Sequence, residues 1–288
     1  MSKPGGIRVF DGAVAVITGG ASGIGRALGE ALGKRGCEVI LADLQASLAE
    51  EAAVGIRASG GKAVALELDV THYAAVERVV QETYTRCGRL DYMFNNAGIG
   101  IGGELRDLEV RDWEKIIDVN FRGVVYGVQA AYPMMVRQGF GHIVNTASLA
   151  GLTPWGMLAS YAATKHAVVG LSKSLRIEAT LRGVRVSVLC PGAIRTSILD
   201  RGGRFGRFVG DPPKEGVERF WKRFRPMEPD KFARQALRQV ARNEPIIIVP
   251  SSVKLIWWLD RLSPKLGIAL GRSIFRIALK DFGTGHQG

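Results

Sequence analysis

Six short apolar runs recur through the first two hundred residues, with longer segments of helical spacing between them. They are AVAVI (13–17), EVILA (38–42), AVALEL (63–68), LDYMF (90–94), HIVNTA (142–147) and VRVSVL (184–189), closed by Gly, Asp, Asn or Pro. A run that is apolar along its whole length is buried on both faces, and strands separated by helices run parallel. PIIIV at 245–249 reads as a seventh strand. The pattern predicts an α/β fold: one doubly wound parallel sheet of about seven strands with helices on both faces. Ser47 with Glu50 predicts a capping box for the second helix, and Thr71 a cap for the third. Residues 1–250 read as a single domain. Residues 251–288 read as a basic, amphipathic helical extension.

Composition removes several classes of function. Cys37, Cys87 and Cys190 are far apart and odd in number, so they read as reduced thiols in a cytoplasmic protein and not as a disulfide framework. The start MSKPGGIRVF has no apolar run with a cleavage site, and no stretch of about 18 apolar residues predicts a spanning helix. His72, His142, His166 and His286 show no metal spacing, and no metal is expected. The net charge of +12 is unevenly placed. Lys and Arg outnumber Asp and Glu by 21 to 19 over residues 1–200, and by 18 to 8 over residues 201–288. The late basic residues alternate with apolar ones and accompany no reader motif, so nucleic-acid binding is not expected.

The first strand runs into Thr18-Gly19-Gly20-Ala21-Ser22-Gly23-Ile24-Gly25, and a helix follows. Glycines allow a tight turn and a close backbone approach to a pyrophosphate, and the helix N-terminus adds partial positive charge. The spacing is GxxxGxG, not the commoner GxGxxG, so placement between strand and helix carries the inference. Asp43 ends the second strand, where a carboxylate can accept from both ribose hydroxyls of an adenosine and repel a 2′-phosphate. No Lys or Arg lies in the glycine loop or within 42–49. NAD is therefore expected in preference to NADP.

Ser148 follows the HIVNTA strand, and Tyr161 and Lys165 come thirteen and seventeen residues later. At i and i+4 the latter two share a helix face. A free tyrosine, with a pKa of about 10, is a poor base at neutral pH. A unit charge about 4 Å away, at an effective dielectric near 20, contributes roughly 4 kcal/mol, about three pKa units. Lys165 is thus expected to bring the Tyr161 phenolate into working range.

Together these elements resemble the classical short-chain dehydrogenase/reductase family over about residues 11–250. The resemblance rests on TGGASGIG (18–25), Asp69 in LDV, Asn95-Asn96-Ala97-Gly98, Asn120 in VNFRG, Ser148, YAATK (161–165), and Pro191-Gly192 with Thr196. It implies a Rossmann-like fold and a nicotinamide-dependent oxidoreductase that interconverts a secondary alcohol and a ketone. It implies that Tyr161 is the acid/base, Ser148 polarises the reacting oxygen and Lys165 binds the nicotinamide ribose. Asn120 would kink its helix and hold a relay water. Gly19, Ser22, Gly23, Ile24, Gly25 and Asp43 would bind cofactor, Asp69 and Val70 would meet the adenine, and Asn96, Ala97 and Gly98 would line the centre. Ile194 and Thr196 would anchor the carboxamide. Asn95 is expected to brace strands instead. The family also implies a homodimer or homotetramer built on the long helices of the catalytic half.

The resemblance implies that two segments choose the substrate: Leu149–Leu158 after the serine, and a loop at about 197–228. Both are apolar and aromatic, the second through Phe205, Phe208, Phe220, Trp221 and Phe224. A lipophilic substrate is expected: a steroid, terpenoid, retinoid or long-chain alcohol. Within the loop, RGGRFGRFVGDPPK reads as mobile. In the extension, Leu255, Trp258, Leu259 and Leu262 form one apolar stripe and Leu266, Leu270, Ile274 and Ile277 another, with Pro264 between. Peripheral membrane contact is one reading of it, and packing on a subunit or beside the substrate entrance is the other. Two alternatives stay open for the whole chain: an NADP-dependent ketoacyl-thioester reductase and a non-catalytic nucleotide-binding scaffold.

Overall fold

The computed structural model describes residues 6–283; His286 and the first five residues lie outside them. Strands and helices alternate as β1 (Val14–Thr18), α1 (Gly23–Gly33), β2 (Glu38–Asp43), α2 (Ala46–Ala58), β3 (Lys62–Glu67), α3 (Tyr73–Cys87) and β4 (Tyr92–Asn95). They continue as β5 (Ile101–Gly102), α4 (Val110–Ile117), α5 (Gly123–Gln138), β6 (Gly141–Thr146), α6 (Ala159–Thr180) and β7 (Val184–Pro191). The last elements are β8 (Arg207–Phe208), α7 (Lys214–Lys222), α8 (Pro229–Ala241), β9 (Ile246–Val249), α9 (Lys254–Leu262) and α10 (Pro264–Phe282).

Seven strands form one parallel sheet in the order β3-β2-β1-β4-β6-β7-β9. The continuous apolar runs have a direct cause. In β1, Ala15 and Ile17 pack on α1 and α8 beside Leu28, Leu32 and Phe232, while Val14 and Val16 pack on α3 and α5 beside Val80 and Met135. β2 divides the same way, with Val39 and Leu41 on one face and Ile40 and Ala42 on the other. Each such leucine or isoleucine, fully buried, contributes about 1.5–3 kcal/mol from area removed from water. No helix among the described residues is long and apolar enough to cross a membrane.

Two expected helix starts are displaced. α2 begins at Ala46 with Gln45 as its cap, so Ser47 and Glu50 make no capping box. α3 begins at Tyr73 behind His72, and Thr71 does not cap it. Both shifts share one cause. Asp43 Oδ1 accepts the Gln45 N–H at 2.9 Å, and Asp69 Oδ1 accepts the Thr71 N–H at 2.9 Å and its hydroxyl at 2.7 Å. The strand-end carboxylates organise these turns.

Between β6 and β7 lies a buried histidine. His142 Nε2 is 2.9 Å from Ser187 Oγ, whose one proton is donated to the Glu244 carbonyl at 2.6 Å. The imidazole must therefore donate from Nε2, and its buried Nδ1 is left without a partner. Burial, with Arg185 and Arg176 adding to it, depresses the His142 pKa to about 3. The unfolded chain takes up this proton near 6.5, so it binds more protons than the folded one below that pH, and stability falls as pH drops. At about 1.4 kcal/mol per unit, roughly 3 kcal/mol is lost by pH 4. Urea midpoints between pH 7 and 4 should fall more steeply for the wild type than for His142→Gln; parallel slopes would refute this assignment.

Candidate active site

Parallel alignment brings the C-terminal ends of β1, β2, β4, β6 and β7 to one edge, where the loops meet. Gly19 has φ +66°, and a Cβ there would stand 2.8 Å from Ala97 Cα. This close approach stitches two loops together. Thr18 Oγ1 accepts the N–H groups of Asn96 and Ala97 at 2.9 and 3.0 Å, and Asn96 Nδ2 donates to the Thr18 carbonyl at 3.1 Å. Ser22 caps α1 by position but makes no side-chain cap bond, and no acidic residue lies in the first turn. Ser22, Gly23 and Ile24 instead line a cavity of about 750 Å³. These helix-start amides suit an anion, and the donor set fits the pyrophosphate of a dinucleotide.

At the β2 end, the Asp43 carboxylate is almost wholly buried. Its oxygens accept from the N–H groups of Ala21 (3.0 Å) and Gln45 (2.9 Å). A carboxylate has about four acceptor positions, so two remain for a ligand in the cavity it lines. A cation also lies nearby that no local window contains: Arg204 Nη1 donates to Gln45 Oε1 at 2.5 Å across 159 residues of chain. At Asp69, burial disfavours the charged form, but the Thr71 amide and hydroxyl and His72 outweigh it and hold the carboxyl below its ordinary range.

The third group comes from β6 and α6. Ser148 is extended (φ −169°), and its Oγ accepts the Ala150 N–H at 3.2 Å. Ser160 Oγ donates to the Ile101 carbonyl at 3.2 Å, pinning the start of α6, which carries Tyr161 and Lys165 one turn apart. Lys165 Nζ donates to the Thr146 carbonyl at 3.0 Å and lies 5.6 Å from the Tyr161 ring centroid. The expected depression of the Tyr161 pKa is not met. Burial pushes Tyr161 upward, with the Ser148 hydrogen bond acting against it. Lys165 is buried too, which lowers its own pKa to about 8. Burial biases each side chain toward its neutral form.

Asn120 is fully buried in a π-helical turn, Asp118–Arg122, between α4 and α5. Its Oδ1 accepts the Ile99 N–H at 2.8 Å, and its Nδ2 donates to the Ile99 carbonyl at 3.0 Å, closing a two-way clasp on the backbone after Gly98. Asn95 Nδ2 donates to Asn145 Oδ1 at 2.8 Å, between neighbouring strands β4 and β6.

The far end of the cavity is apolar. Leu149, Trp155 and Leu158 line it, as do Phe205, Trp221 and Phe224; Phe208 and Phe220 do not, and pack with Trp221, Phe224 and α10 in one cluster behind it. The glycine- and arginine-rich segment makes specific contacts to the rest of the fold. β8 pairs with β5, and Arg207 makes a bidentate bond to Asp112 of α4 at 2.6 and 2.7 Å. Arg207 holds the Asp112 carboxyl below its ordinary range. The extension also contributes: Val253 and Ile256 line the cavity. Asp281 on α10 receives Arg219 of α7 and Arg223 just after it, and Phe275 packs on Gly156.

Of the residues singled out from sequence, Gly19, Ser22, Gly23, Ile24, Asp43, Asp69, Val70, Asn96, Ala97, Gly98, Ser148, Tyr161, Lys165, Ile194 and Thr196 line this one cavity. Gly25 and Asn120 stand behind it as supports. Thr18, Arg204, Val253 and Ile256 were not singled out. Thr18 could have been found from its place between strand and glycine loop; the others depend on tertiary placement.

Residues 13–203 match a protein family described as short chain dehydrogenase. A 2,5-dichloro-2,5-cyclohexadiene-1,4-diol dehydrogenase of Sphingobium indicum is 38% identical over 187 residues, 65% of this chain and 75% of that protein. Levodione reductase of Leifsonia aquatica is 35% identical over 214 residues, 73% of this chain and 79% of that one. Among solved structures, a short chain dehydrogenase/reductase from Burkholderia phymatum in complex with NAD superposes with a TM-score of 0.81 at 31% identity. It covers 90% of this chain and 96% of its own.

Proposed function

Because this chain belongs to the short-chain dehydrogenase/reductase family and is an oxidoreductase of that kind, we propose that it interconverts a lipophilic secondary alcohol and its ketone with NAD. The observation that carries the reading is the meeting of Ser148, Tyr161 and Lys165 with the glycine loop and Asp43 in one cavity. A bound nicotinamide supplies the hydride donor or acceptor. The protein's part is protonic and positional. In reduction, the neutral Tyr161 phenol donates its proton to the ketone oxygen while Ser148 holds that oxygen by a hydrogen bond. In oxidation the same hydroxyl, deprotonated, takes the alcohol proton. Lys165, fixed by Thr146, would hold the nicotinamide ribose. Asn120 positions the loop after Gly98, and Asp69 and Val70 would border the adenine. Ile194 and Thr196 would hold the carboxamide end.

The two open acceptor positions of Asp43 support NAD, since a 2′-phosphate there would meet a buried carboxylate. The aromatic far end supports an apolar substrate. Exposed Ile177 on α6 and Leu181 at its end fit assembly as a homodimer or homotetramer through that long helix, with the enzyme working in the cytoplasm.

Fluorescence titration of NADH and NADPH tests the cofactor half. NADH should bind the wild type more tightly, and Asp43→Ala should weaken NADH by about tenfold to a hundredfold, the worth of one or two hydrogen bonds to a charged group. Equal affinities, with no change in the variant, would remove Asp43 from the argument and bring the NADP-dependent reductase forward. Turnover of small polar ketones alone, with none of lipophilic alcohols, would overturn the substrate class.

A further inference from the structure

The molecule exposes its large apolar side chains unevenly. Eighteen are exposed among the described residues, and eight of those eighteen lie between Leu255 and Ile277. In α9 they are Leu255, Trp258, Leu259 and Leu262, at i, i+3, i+4 and i+7, so they share one face. Across the Ser263-Pro264 turn, Leu266 and Leu270 repeat the spacing on α10.

The same hairpin is strongly basic. Arg261, Lys265, Arg272, Arg276 and Lys280 are all exposed, and none makes an ion pair among the described residues. The hairpin's two carboxylates do not offset them. Asp281 is engaged by Arg219 and Arg223, and half-buried Asp260 packs on Gly267.

From this we propose that the α9–α10 hairpin is a docking surface for anionic lipid. Exposed leucines and a tryptophan suit the boundary between headgroups and acyl chains, and lysines and arginines suit acidic headgroups. A second copy of the chain fits less well. A twofold contact sets each patch against its own image, so the five cations of one copy would face the same five of the other with no acidic partner. Neither helix spans a bilayer, so the contact is peripheral.

α9 has a second face. Val253, just before it, and Ile256, within it, line the cavity. Docking therefore places a wall of the substrate chamber against lipid, where an apolar alcohol or ketone would partition. Delivery from lipid rests on the proposed lipophilic substrate; docking itself does not.

The test is flotation of the full chain with phosphatidylglycerol/phosphatidylcholine vesicles and with phosphatidylcholine alone, alongside tryptophan quenching by brominated acyl chains. Binding is expected only to the anionic vesicles, with quenching, and is released by high salt. The exposed double variant Trp258→Ser, Leu262→Glu should lose about tenfold or more in partition, while NADH binding and turnover of a water-soluble alcohol stay unchanged. Equal flotation of wild type and variant overturns the proposal. So does self-association that the variant abolishes without vesicle binding, which would assign the face to a second copy. Vesicle binding by a protein without dehydrogenase activity would keep the docking surface and discard the reaction.

Discussion

Replacing Tyr161 with phenylalanine is expected to lower kcat by about 10³-fold, within the range of positioned acid–base catalysis, and to leave NADH affinity unchanged. The ring stays, so the wall of α6 keeps its volume; only the hydroxyl that exchanges the proton is removed. A pH signature accompanies the loss. Burial holds the Tyr161 pKa above its ordinary value, so the phenol is the resting form. Alcohol oxidation by the wild type should therefore accelerate as pH rises toward that raised pKa, and the residual rate of the variant should not. Ketone reduction, which uses the neutral phenol, should be favoured at neutral pH. A loss of less than tenfold, with the oxidation profile intact, would take the proton-transfer role away from Tyr161.

The second large effect is expected at Gly25. A Cβ there would stand 2.0 Å from the Gly19 carbonyl oxygen and 2.7 Å from Asn96 Nδ2. The first contact is backbone, so neither partner can rotate away. Gly25→Ala must push the start of α1 off the glycine loop and disturb the amides proposed to hold the pyrophosphate. NADH affinity should fall by about a hundredfold or more, with overpacking costing about 1–3 kcal/mol of stability. Gly55→Ala, in the middle of α2, is the matched control: nothing lies within 4 Å of the added carbon, and the change should stabilise by about 0.5–1 kcal/mol. Titration and thermal melts of the two variants make the comparison. Similar behaviour would mean that the α1 entrance tolerates bulk and does not shape the cofactor site.

The strands were legible because burial on both sheet faces forces apolar residues at consecutive positions, as in residues 14–17 and 39–42. The grouping of cofactor and catalytic residues was legible because a parallel sheet leaves only one edge at which loops after β1, β2, β4, β6 and β7 can meet. What escaped has physical causes. The starts of α2 and α3 are set by Asp43 and Asp69, which compete locally for the amides that a capping serine or threonine would steer. The sign of the Tyr161 shift depends on how much water reaches the ring, a property of the assembled chamber and not of an i, i+4 spacing. Arg204 could not be found near Gln45 in any window, because a loop 159 residues away carries it there. The anchoring of Arg207 depends likewise on Asp112, far back in the chain.

The contact between Arg204 and Gln45 has a consequence for anyone redesigning this protein. It ties the segment that carries Phe205 to the turn that carries Asp43 through one exposed hydrogen bond, so under the proposed function substrate choice and dinucleotide affinity would be coupled. A library randomised across 200–206 to accept new alcohols would drift in its demand for NAD even when no residue of the β2 turn is touched. Selection at saturating coenzyme would conceal the drift, and selection at scarce coenzyme would mistake it for poor catalysis.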